Sequence, residues 1–447
     1  MALSLTKDPH SLKARALLLD LLSRLPGYPF AVRLPNDDVI PPNPPHQLPS
    51  FTLVLQRPAA LRRMLVPPSE LGIGESYIFG DCDIEGDIVA AFAFVDQSPW
   101  PQLSLGEWAR LGWGLWQLEQ DGRLRPESSL EPSGHFASYA ANGRLHSPNR
   151  DRTAIQFHYD LSNNFYKLWL DQRLVYSCAY FATVDESLES AQQRKLDRIC
   201  LKLNLQPGER FLDIGCGWGG LLIHAATQYG VEAVGITLSE EQTAEARARI
   251  DAAGLADRCR IRICHYQQFE TEPLDKIASV GMFEHVGREK LVAYFTKARQ
   301  LLKPGGLFLL QGGSARIDRR HVGRSWMDRL NLGRNAFMQK YSFPDSWLID
   351  LPAILATAEK VGFETQEVES LRQHYPLTLR HWLTRLEQNR EAAIAEVGEI
   401  AYRCWRLVLA GYLYLLEKGQ LAEYQTLFVN PGAPSPPLPV HKLPPSG

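Results

Sequence analysis

Between positions 213 and 220 the chain reads Asp213-Ile214-Gly215-Cys216-Gly217-Trp218-Gly219-Gly220, one acid followed closely by four glycines. Glycine lacks a Cβ, so such a turn lets the backbone approach a bound molecule. The Asp213 carboxylate can accept hydrogen bonds from an ammonium group. Two features point away from a dinucleotide. The spacing is Gly-x-Gly-x-Gly-Gly rather than Gly-x-Gly-x-x-Gly, and the next strand ends in Gly235-Ile236-Thr237-Leu238, with no acid for a ribose hydroxyl. The competing reading is a tight turn that only packs a helix on a strand. Gln242, in Ser239-Glu240-Glu241-Gln242, serves either a cofactor or its own helix through a capping box. Taken alone, Glu284 reads as a solvated carboxylate at a strand end, Cys178 as a small buried hydrophobe and Tyr375 as an ordinary aromatic.

The elements that must position these residues alternate. A strand at 210–213 leads to a helix at 221–229, and a strand at 232–238 to a helix from Ser239. Strands at 260–264 and 277–281, a helix at 289–302 and a strand at 307–310 follow. This order predicts an α/β fold with a doubly wound, mostly parallel sheet, binding its ligand where the strands end. After Pro376 the chain reads as largely helical as far as Phe428. Residues 1–130 read as a smaller α+β domain and 135–430 as the main domain, with a linker rich in Ser, Pro, Gly and Glu between them. The Pro-rich stretch 431–447 reads as a disordered tail.

The chain has 447 residues, 45% hydrophobic and 22% charged, which suits a globular protein of two units. No uninterrupted apolar run reaches the ~18 residues of a membrane span, so any membrane contact is expected to be peripheral. The first residues lack a basic-then-apolar order, and the seven scattered cysteines suggest neither a disulfide framework nor a metal site; a cytoplasmic location is expected.

Four segments carry a family resemblance: Phe157 to Tyr166, Tyr176 to Phe181, Leu212 to Gly220, and Gly281-Met282-Phe283-Glu284-His285-Val286-Gly287. Weaker matches stand at 340–344 and 374–382. Together they resemble the cyclopropane-fatty-acyl-phospholipid synthase family, which includes the mycolic acid cyclopropane synthases. Leu71-Gly72-Ile73-Gly74-Glu75-Ser76-Tyr77 resembles its phospholipid-acting branch. The resemblance runs from about residue 60 to 430 and implies a methyltransferase domain of class I type using S-adenosylmethionine. The implied cofactor contacts are Tyr176, Ser177, the stretch Leu212 to Gly220, Thr237, Leu238, Ser239, Gln242, Tyr266 and Gln267. The implied catalytic set is Cys178, Glu284 and Tyr375 around a bicarbonate ion, with Gln311 where members often carry histidine. The implied reaction is attack of a cis double bond on the sulfonium methyl, then proton loss and ring closure. Gln311-Gly312-Gly313 departs from the His-Thr-Ile of many members, which places bicarbonate binding in question.

That departure opens alternatives. They are a methyl- or methylene-branched product, a small-molecule N-methyltransferase, and a non-catalytic lipid-binding relative. The lipid reading implies a peripheral surface at the inner face of a membrane. Trp100, Trp108, Trp113 and Trp116 suit the headgroup interface or, equally, a domain core. The arginines between 316 and 334, with Trp326, Met327 and Leu330, suit anionic headgroups or a solvated loop. A slightly acidic chain without a recognition motif argues against nucleic acid. Oligomeric state stays open, a homodimer being one option.

Overall fold

The computed structural model describes residues 9–66, 69–97, 104–118, 144–315 and 336–432. The chain divides into two compact units. One comprises residues 1–139, 318–342 and 397–414; the other comprises 140–317, 343–396 and 415–447. Residues 318–342 and 397–414 thus count with the first unit although they lie within the stretch 135–430.

The first unit holds a four-stranded sheet of β1 (Phe30–Arg33), β2 (Val39–Ile40), β3 (Phe51–Leu55) and β4 (Cys82–Gly86), in the order β2-β1-β3-β4. Phe30 stacks on Phe51 with ring centroids 4.9 Å apart. A helix at Leu105–Gln117 starts from a reciprocal cap between Ser104 and Glu107. It buries Leu111 and Leu115 and leaves Trp113 60% and Trp116 41% exposed.

The second unit is built on seven strands: β5 (Arg210–Ile214), β6 (Glu232–Thr237), β7 (Cys259–Ile263), β8 (Leu274–Val280), β9 (Leu302–Ala315), β10 (Glu364–Ser370) and β11 (Leu421–Val429). Their order is β10-β11-β9-β8-β5-β6-β7. The five strands from β9 to β7 run parallel, and β11 and β10 join antiparallel at one side. This is the expected mostly parallel α/β sheet. Each face carries its own core. Phe211, Leu309 and Leu427 belong to one, and their chain neighbours Leu212, Phe308 and Phe428 to the other. Successive side chains of a strand point to opposite faces, and both faces are covered here.

β11 corrects the helical reading of the stretch up to Phe428. The helix at Glu399–Glu417 stops before Gly419, whose φ is +75°, and β11 then pairs along its whole length with residues 307–315 of β9. All residues of Leu421–Val429 except Tyr424 are buried, so the strand has no polar face to produce a period of two.

Candidate active site

At the carboxyl ends of β5, β6 and β8 lies a cavity. The glycine turn forms its floor. Gly215 and Cys216 both donate their N–H to Ile236 O, at 2.9 and 3.1 Å, which ties the turn to the end of β6. Gly215 has φ +80°, and a Cβ there would stand 2.6 Å from Met282 Cβ. Gly217 has φ +53°, and a Cβ there would meet no protein atom within 4 Å. The first glycine serves packing against the end of β8, and the second leaves open space.

Every cofactor position inferred from the sequence lines this cavity except Leu212, Gly219, Ser239 and Gln267. Leu212 is fully buried in the core. Gly219 is the N-cap of the helix Gly220–Tyr229, with φ +80°. Ser239 accepts a hydrogen bond from Gln242 N at 3.0 Å and bonds to Asp160. Gln267 donates to the Tyr266 hydroxyl at 3.3 Å. Gln242 does not close its own helix through its side chain. Its Oε1 accepts from Thr237 Oγ1 at 2.7 Å, which turns the amide toward the cavity that it lines.

Asp213 is buried, and burial pushes its carboxyl up to about 7, partly offset by the Lys195 ammonium. Lys195 was not singled out from the sequence. It is buried, lines the cavity, donates to Ser177 Oγ at 2.9 Å, and is itself pushed down to about 8 by burial. Its signal was a lysine on the buried face of the helix Leu188–Lys202, beside Ala191, Gln192, Leu196 and Ile199. A buried acid and a buried ammonium at one cavity suit a zwitterionic ligand end. Tyr159 and Tyr176 give the cavity an aromatic stretch of wall. The Tyr176 ring lies 5.2 Å from Trp382, 5.5 Å from Trp169 and 6.1 Å from Tyr159. Such π faces favour a neighbouring cation.

The four residues of the inferred catalytic set do not line the cavity. Glu284 follows β8 in a short 3-10 turn, and its Oε1 accepts from Gly313 N at 2.7 Å. Gly312 keeps this approach open, since a Cβ there would lie 3.3 Å from Glu284 Oε1. The two glycines are therefore the seat of the carboxylate. Gln311, fully buried, donates to Glu423 Oε1 at 3.1 Å and to Cys178 O at 3.5 Å, and accepts from Gln425 Nε2 at 2.9 Å. Tyr375 lies near the start of the helix His374–Gln388, its ring 6.2 Å from the Trp382 ring, and its N–H donates at 3.2 Å to Leu371 O, the carbonyl that Cys178 Sγ approaches at 3.9 Å. Cys178 Sγ points to Ala179 O at 3.2 Å, and burial raises its thiol well above the usual range.

Glu423 is the residue that the sequence reading missed. It sits on β11 opposite Gly313 and is 2% exposed. Burial raises its carboxyl well above the usual range, and the charge of Glu284 adds to that rise. Its signal was an acid in the stretch Leu421–Val429, apolar at both ends, and it was hidden by the helical reading.

The family model for mycolic acid cyclopropane synthetase matches residues 146–426. The chain belongs to that family. Among its relatives, a probable fatty acid methyltransferase of Pseudomonas putida is 38% identical over 387 residues, covering 86% of this chain and 88% of that protein. Cyclopropane mycolic acid synthase 3 of Mycobacterium tuberculosis is 37% identical, covering 59% of this chain and 92% of that protein. A solved mycolic acid cyclopropane synthase, CmaA1, in complex with SAH and CTAB, superposes with a TM-score of 0.59 at 34% identity, covering 62% of this chain and 98% of that one. The family makes this chain an S-adenosylmethionine-dependent methyltransferase of the cyclopropane synthase type. The cavity fits that cofactor. Asp213 and Lys195 suit its amino and carboxyl groups, and the rings of Tyr159 and Tyr176 suit its sulfonium.

Proposed function

We propose that this enzyme methylates the cis double bond of an unsaturated acyl chain in a phospholipid and closes a cyclopropane ring, working peripherally at the inner face of a membrane. S-adenosylmethionine, when bound, supplies an electrophilic methyl group. Asp213 and Lys195 hold the amino-acid end of the cofactor, Gln242 offers its amide, and the aromatic wall excludes water. An alkene is a weak nucleophile, so the site must place it well and stabilise a developing cation. The observation that carries the reading is the pair of buried carboxyl groups beside the cavity, Glu284 seated on Gly313 and Glu423 held by Gln311. Whichever member of the pair is ionised stabilises a developing cation.

The lipid side is supported by the first unit. Trp113 and Trp116 stack with centroids 4.9 Å apart on the exposed side of their helix, and Trp108 is 38% exposed. Tryptophan in such a place suits the headgroup layer. Trp100 and the arginines from 316 to 334 lie outside the described residues. Among the described residues no helix is long and apolar enough to cross a membrane. The name of the Pseudomonas putida relative, a probable fatty acid methyltransferase, supports a second reading in which the product is branched.

The test uses the purified full chain with vesicles of dioleoyl phosphatidylglycerol and methyl-labelled S-adenosylmethionine. The expected result is label in the acyl chain, with the high-field proton resonances of a cyclopropane. Methylene resonances without them would select the branched product. Absence of label from any unsaturated phospholipid, with S-adenosylhomocysteine binding intact, would refute the proposal.

A further inference from the structure

Ring closure, on the reading above, requires a group that takes a proton from the added methyl carbon. The family resemblance implies a bicarbonate ion held by Cys178, Glu284, Tyr375 and the residue at 311. The groups present do not fit one. The Gln311 amide is committed on both sides, its Nε2 to Glu423 and Cys178 O and its Oε1 to Gln425. Glu284 Oε1 already takes the Gly313 N–H, and its buried Oε2, which has no hydrogen-bond partner among the described residues, is an acceptor that offers no donor to an anion. The Cys178 thiol is aimed at the carbonyl oxygens of Ala179 and Leu371. Two buried carboxyl groups occupy this shielded place, where burial and the charge of Glu284 already disfavour a second negative charge and so disfavour a further anion.

We infer that the Glu423 carboxylate is the proton acceptor of this enzyme, standing with Gln311 and Glu284 where the relatives would hold the ion. Strand pairing explains why it fits. Glu423 lies opposite Gly313 and Gln425 opposite Gln311, so these residues share one face of β11 and β9. Gly313 contributes no side chain, which leaves room for the acid of its partner strand. The groups acting on Glu423 come from three further elements. They are Glu284 on the 3-10 turn after β8, Lys195 on the helix Leu188–Lys202, and Cys178 in the loop before that helix. Burial and the Glu284 charge hold the Glu423 carboxyl well above its usual range, while the Gln311 amide, the Lys195 ammonium and, once bound, the cofactor's sulfonium favour its ionised form.

The step balances as follows. The π electrons of the alkene form a bond to the methyl carbon while the carbon–sulfur pair leaves with sulfur. The cation left on the other alkene carbon is closed by a C–H pair of the added methyl, whose proton goes to Glu423. The neutral acid then returns its proton to solvent.

The experiment uses the full chain with dioleoyl phosphatidylglycerol vesicles in carbon-dioxide-free buffer, with and without added bicarbonate. Wild type is expected to make cyclopropane at the same rate in both. Glu423→Gln, which keeps the hydrogen bond to Gln311, is expected to lower kcat on the order of 100-fold, leave S-adenosylhomocysteine affinity unchanged and raise the branched share of product. A wild-type rate that collapses without bicarbonate and returns with it overturns the inference but leaves the proposed function standing. So does E423Q making cyclopropane at the wild-type rate. Absence of any methyl transfer to lipid overturns both. The wild-type bicarbonate response decides between acid and ion even where E423Q fails to fold.

Discussion

Lowering the pH should weaken cofactor binding steeply, through one carboxyl group. Asp213 titrates at about 7 in the free protein because burial disfavours its charged form. A cofactor ammonium beside it favours the carboxylate, so binding is linked to proton release. If the ammonium restores the ordinary value of 3.8, affinity is on its plateau above about pH 7 and falls about tenfold per pH unit below it. At pH 5 the loss is about 100-fold, or about 2.7 kcal/mol. The sign follows from linkage: the free protein binds the extra proton, so acid favours the free form. Above about pH 8 affinity should fall again as the α-amino group of the cofactor loses its own proton. Calorimetric titration with S-adenosylhomocysteine from pH 5 to 7.5 measures the limb, since that ligand carries the ammonium without the sulfonium. Asp213→Asn should bind more weakly at pH 7.5 and show no limb. A flat wild-type profile refutes the argument. An unchanged slope in D213N would reassign the proton, with Asp160, pushed up to about 6 by burial, as the next group.

Gly217→Leu should abolish S-adenosylhomocysteine binding, because its side chain would enter the open space of the cavity, while thermal unfolding shows a loss limited to the ~1–2 kcal/mol of a left-handed non-glycine residue. Glu284→Gln should lower turnover on vesicles roughly 100- to 1000-fold and leave cofactor affinity intact, since its amide oxygen can still accept from Gly313; a near-wild-type rate would remove Glu284 from the chemistry. Replacing Trp113 and Trp116 together by alanine should reduce vesicle sedimentation severalfold without changing cofactor affinity, because both rings are largely exposed and pack on each other; unchanged sedimentation would assign these rings another role.

The glycine turn, the acid before it and the alternation of strands and helices were legible in the sequence because they are local. A turn that must adopt positive φ at Gly215, Gly217 and Gly219 calls for glycine at those positions. A parallel sheet calls for apolar runs separated by helices. The motif around Glu284 likewise singled out a carboxylate that the fold seats on Gly313 beside the cavity. What the sequence did not disclose is which groups meet that carboxylate. Gly313 and Gln311 come from β9 and Glu423 and Gln425 from β11, more than a hundred residues further on, and only the antiparallel pairing of these strands sets them face to face. β11 itself was hidden because a strand buried on both faces carries no alternation to separate it from a helix. Lys195 was hidden for a related reason: a lysine on a helix is ordinarily a solvated charge, and only packing of that helix over the cavity makes it a buried partner of Ser177 and Asp213. Local geometry is written in residue type and spacing. The meeting of charges from distant strands is decided by tertiary pairing, where the energy of bringing them together is felt.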